Sequence, residues 1–79
     1  MKGAAGPVKR SVMIAGHATS VSLEPVFWDA LKEAAGEMQL PLSALVARID
    51  AERVSGGAAV NLASAIRVWL FERARAGRP

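Results

Sequence analysis

One short segment constrains this chain more than any other. In Ala18-Thr19-Ser20-Val21-Ser22-Leu23 the side chains alternate in polarity, so Thr19, Val21 and Leu23 share one face of an extended strand. Ala18, Ser20 and Ser22 share the other. A lone strand leaves its backbone N–H and C=O groups without partners, and no second segment alternates as cleanly. The simplest partner is the same strand of a second copy, paired antiparallel about a two-fold axis.

Size and composition point the same way. The chain has 79 residues, of which 52% are hydrophobic and 22% charged. A domain this small buries only about 60% of its unfolded surface, so surplus apolar side chains favour a self-associating fold. With no cysteine, neither disulfides nor thiolate metal sites can supply stability. The absence also fits a reducing cytoplasm, the expected location. Nothing in the first residues reads as a signal peptide, and no apolar run approaches the roughly 20 residues of a membrane helix.

Residues 1–9, small and interrupted by Pro7, read as a flexible basic arm, and residues 10–76 as the folded domain. Val12 and Ile14 lie on the opposite parity from Val21 and Leu23, so Gly16 is expected to break the phase as a bulge or bend. A helix should open at Glu24-Pro25, since proline suits the first helical position. Phe27, Leu31, Ala34, Ala35 and Met38 form its stripe, and it should end before Pro41. A second helix is expected over 42–54, capped by Ser43 and buried through Leu42, Leu45, Val46 and Ile49. Gly56-Gly57 stops it. A third should start at Asn61, with Leu62, Ile66, Trp69 and Leu70 inward, and fray after residue 75.

The run Gly16-His17-Ala18-Thr19-Ser20-Val21-Ser22-Leu23-Glu24, followed by Leu40-Pro41-Leu42-Ser43-Ala44-Leu45-Val46, resembles the ribbon-helix-helix (Arc/MetJ-type) superfamily. In particular it is similar to a small bacterial subfamily with a Gly-His-x-Thr-Ser-Val-Ser-Leu-Glu stretch. The resemblance covers residues 16–50 and implies a mainly α fold with one β-strand: ribbon-helix-helix plus an additional C-terminal helix. The molecule is then an intertwined homodimer with a two-stranded antiparallel ribbon. It further implies a transcriptional regulator whose ribbon enters the major groove of double-stranded DNA through Ala18, Ser20 and Ser22. Ser43 and Ala44, at a helix N-terminus, would anchor a phosphate.

The charge distribution is compatible with that partner. The net charge of +3 arises at the ends: Lys2, Lys9 and Arg10 precede every acid, Arg73, Arg75 and Arg78 follow every acid, and the body between them carries four cations against all seven acids. Lys9 and Arg10 are candidates for flanking phosphates; the same charges would equally serve solubility. Where the superfamily commonly presents Arg, Lys, Asn or Gln to the bases, this strand presents alanine and two serines. Specificity then rests on DNA shape and on Lys9 and Arg10, or the fold serves as a protein-interaction or antitoxin-like module with weak DNA reading.

No catalytic constellation is visible. His17, the sole histidine, is expected to be a partly buried hydrogen-bonding residue and cannot build a metal site alone. Trp28 and Trp69 are expected to pack rather than stack on bases. Glu33 and Glu37 read as a solvated face, and Gly56-Gly57 lacks the lysine of a phosphate-binding loop. Neither a cofactor nor a membrane partner is expected.

Overall fold

Among the residues described in the computed structural model, 6–57 and 60–77, the chain forms two strands followed by three helices. Strand β1 spans Val8–Ile14 and β2 spans His17–Leu23, and they pair antiparallel with Val12 opposite Thr19. Helices α1 (Pro25–Glu37), α2 (Leu42–Ser55) and α3 (Leu62–Arg75) follow.

The hairpin corrects the expectation of a single strand. β2 has a partner strand within its own chain, residues 8–14. Val8 and Lys9 belong to β1, not to a preceding arm; the arm's first five residues lie outside the described region. Gly16 is no bulge. Ala15 and Gly16, at φ 51° and 82°, are the two residues of a tight turn. Positive φ at both positions is what a right-twisted two-residue hairpin loop requires. The reversal also explains the parity conflict. Val12 and Ile14 run the other way, so they share a face with Val21 and Leu23.

That shared face is the floor of the core. Val12, Ile14, Val21 and Leu23 are buried against Trp28, Leu31, Ala34 and Ala35 of α1, Leu45, Val46 and Ile49 of α2, and Ile66 and Leu70 of α3. Burying each large side chain contributes about 1.5–3 kcal/mol. The radius of gyration is 12.4 Å, near the roughly 12 Å expected for one closed domain of this length.

Local chemistry sets the helix ends. Pro25 opens α1 at its first turn, where the missing N–H costs nothing. The Glu24 carbonyl accepts from Phe27 and Trp28. α1 closes with Gln39 at φ 58°; Leu40 donates to Ala35 and Gln39 to Gly36, a Schellman ending made without glycine. Pro41, not Ser43, is the residue that caps α2, and no side chain bonds its first amides. Asn61 does cap α3, its Oδ1 accepting from the Ser64 amide at 2.8 Å.

Candidate nucleic-acid interface

Direct cross-strand partners lie on the same face of a ribbon, so the register defines the face turned away from the helices. It has three rungs: Lys9 with Ser22, Ser11 with Ser20, and Met13 with Ala18. Lys9, Ser11, Met13, Ala18 and Ser20 are exposed, and Ser22 is half-buried. Thus Ala18, Ser20 and Ser22 are brought together on one solvent-facing surface. β1 adds Ser11 and Met13, which sequence reading did not single out. The signal for them was available: the parity change at Ala15-Gly16 implies a reversal, and a reversal places Lys9, Ser11 and Met13 beside the serines.

Arg10 is separated from this surface. It stands opposite Val21 on the helix-facing side, and its guanidinium lies 5.5 Å from the centre of the Trp28 ring. Such cation–π contacts are worth about 0.5–1 kcal/mol when exposed. The charge of Arg10 therefore sits at the flank of the hairpin, held by α1, while Lys9 projects from its outer face.

The hairpin contains no acidic residue, and neither Lys9 nor Arg10 has a carboxylate partner among the described residues. On the helical body the opposite holds. Arg67 binds Glu24 at 2.8 Å, Arg73 binds Glu37 at 2.6 Å, and Arg53 binds Asp50 at 2.8 Å. Glu37 is consequently engaged between α1 and α3 rather than merely solvated. The Glu24 carboxyl is held below the usual carboxylate range, first by its own backbone N–H and then by the Arg67 guanidinium. Among the described residues, three helical arginines are thus paired with carboxylates, whereas the two cations of the ribbon are not.

Ser43 and Ala44 stand in the first turn of α2, both half-buried. The Ala44 amide already donates to the Pro41 carbonyl at 3.0 Å, which leaves the amides of Leu42 and Ser43 at this helix end. His17 is exposed at the turn end of β2, opposite Ile14, rather than partly buried. Trp28 is buried, and its Nε1 donates to the Val8 carbonyl. Trp69 is half-buried beneath Arg73 and, with Ile49, Val60 and Val68, lines a shallow groove of about 270 Å³ between α2 and α3. Among the described residues no helix is long and apolar enough to cross a membrane, and no cluster of acidic or histidine side chains could hold a metal ion.

A two-stranded antiparallel ribbon, polar and cationic on its open face and backed by helices, defines a small ribbon-and-helix domain. The chain belongs to the ribbon-helix-helix domain family, whose model matches residues 7–74, from the start of the hairpin to the end of α3. Domains of this family generally bind DNA as transcription regulators, without enzymatic activity, and typically dimerise. No curated protein and no solved structure matches the chain.

Proposed function

We propose that the protein is a DNA-binding transcriptional regulator that lays the outer face of its β-hairpin in the major groove. The observation that supports this most is the gathering of Lys9, Ser11, Ser20 and Ser22 on one exposed, acid-free face. A two-stranded ribbon fits the width of the major groove, and serine hydroxyls can donate to or accept from base edges. Lys9 at the open end of the face and the Ser43 end of α2 are the phosphate contacts in this reading, with Arg10 a weaker one at the flank. Because domains of this family typically dimerise, the binding species in this reading is a homodimer.

The test is fluorescence anisotropy on random genomic fragments and on the promoter of the protein's own gene, at two salt concentrations. Each neutralised phosphate should lower the logarithm of the association constant by about 0.9 per tenfold rise in salt. Ser20→Ala with Ser22→Ala should weaken promoter binding and leave genomic binding and the fold unchanged. Weak binding, equal on both DNAs and insensitive to the serines, would remove the ribbon from sequence reading.

A second reading has one observation in its favour. Val60 and Val68 are 44% and 55% exposed along the α2–α3 groove, an apolar surface suited to a protein partner. In that reading the fold is an interaction or antitoxin-like module, and the same experiment decides against it when the promoter is preferred.

A further inference from the structure

Helix α3 is apolar on two sides. Ile66 and Leu70 face the core and are buried. Val68, Phe71, Glu72 and Arg75, spaced three and four residues apart, form a second stripe that is exposed throughout. Phe71 is 62% exposed, whereas the other three aromatic side chains of the chain are buried or half-buried. The core is closed without it. The Arg75 guanidinium lies 5.9 Å from the centre of its ring, so the two side chains make one projecting knob, apolar and cationic together.

Beside the knob runs the groove between α2 and α3. Its apolar lining includes Val60, Val68 and Trp69, and its volume of about 270 Å³ is enough to take a phenyl ring. Glu52 and Glu72 also line it; both are exposed, and neither is in an ion pair among the described residues. The charge of Arg53, the cation of the lining, is matched by Asp50. The groove is therefore apolar inside and acidic at its margin.

Knob and groove lie next to each other on one molecule, alike in polarity and opposite in charge. A surface that carries both is complementary to itself, as a contact about a two-fold axis requires. We propose that the α2–α3 face is a contact between two copies of this chain, Phe71 of each seated in the groove of the other and Arg75 against Glu52 and Glu72. An unlike partner would have to bring the same pairing of apolar side chain and cation that this chain already presents. The outer face of the ribbon is turned away from the helices, so the contact leaves it open and stands whether or not that face meets DNA. Domains of this family typically dimerise; where copies are already paired through another face, the α2–α3 contact joins the pairs two by two.

Sedimentation equilibrium over a range of concentrations tests this on the full chain. The wild type should reach particles with twice as many chains as Phe71→Ser. Two phenyl rings leave the contact at once in that variant, so its association constant should fall about a hundredfold or more. Charge supplies a second test. Arg75→Glu makes knob and margin both negative, and Glu52→Arg with Glu72→Arg makes both positive. Each of these proteins alone should stay at the smaller size, and an equal mixture of the two should recover the wild-type size. All four positions are exposed, so the folds should be kept, which circular dichroism checks. Equal particle sizes for the wild type and Phe71→Ser would overturn the contact. A mixture no larger than its two components would overturn the pairing of Arg75 with the acidic margin.

Discussion

The indole Nε1 of Trp28 donates a 2.9 Å hydrogen bond to the carbonyl oxygen of Val8, twenty residues earlier in the chain. This bond fastens the first residue of β1 to α1, and the same indole ring supports the Arg10 guanidinium. A buried aromatic thereby holds one strand of the ribbon from below while its neighbours face solvent.

Trp28→Phe should remove that bond and leave the carbonyl of Val8 without its partner. The expected cost is about 1–2 kcal/mol, read as a shift of the urea midpoint, together with faster amide exchange at the β1 end. Trp28→Ala, which also empties core volume, should cost about 3–5 kcal/mol and leave little folded protein. An unchanged urea midpoint in Trp28→Phe would show that water replaces the indole at no cost.

The turn offers a gain instead of a loss. Ala15 holds φ 51°, a conformation that costs a residue with a Cβ roughly 1 kcal/mol. Ala15→Asn creates the Asn-Gly pair favoured in such loops and should raise Tm by about 4–8 °C. Gly16→Ala should lower stability by a similar amount although its added Cβ would meet no atom within 4 Å, since the strain is purely in the backbone. A rise in Tm for Gly16→Ala would contradict the turn geometry.

The same Ala15 explains why half of the ribbon was hard to read. The helices announced themselves through Pro25, Pro41, Asn61 and Gly56-Gly57, residues whose covalent chemistry acts locally. β1 gave no such notice. Its inward positions include Arg10 and its outward positions include Met13, so the period-two pattern of Val8–Ile14 is inverted at one place on each face. The turn begins with alanine, a poor former of positive φ, and not with Asn or Asp. What rescues Arg10 on the inward side is Trp28, a tertiary contact across eighteen residues that no local pattern encodes. The cap of α2 was misplaced for a related reason: Ser43 has the right chemistry, but Pro41 already ends the preceding extended segment, and the serine falls inside the first turn.

Acid should act through Glu24. Its carboxyl titrates below the value of about 4.3 that it would have in the unfolded chain, owing to its own backbone N–H and to Arg67. A depressed folded-state value means stability that is fully present above the unfolded value and is lost as pH falls through the folded one. Glu24→Gln should therefore lower Tm at neutral pH and converge on the wild type in acid, once pH has fallen below the folded-state value. A gap that persists undiminished in acid would mean that the side chain acts by shape and not by charge. Arg67→Gln should flatten the same profile, since it removes the second of the two causes and the bridge between the start of α1 and α3.

Lys9 and Arg10 are neighbours in sequence with equal charge, yet they lie on opposite faces of β1, and their variants should separate accordingly. Lys9→Gln should leave Tm unchanged and reduce the salt dependence of DNA binding by about 0.9 in the log–log slope, the signature of one lost phosphate or one displaced cation. Arg10→Gln should lower Tm slightly through the lost contact with Trp28 and change the slope by less, because its guanidinium is held against the indole at the flank of the ribbon. Anisotropy titrations over a range of salt, paired with thermal melts, measure both quantities on the same samples. Equal slope changes for the two variants would mean that DNA senses only the summed charge of the hairpin, and that the face defined by Lys9, Ser11, Met13, Ala18, Ser20 and Ser22 has no privileged contact with it.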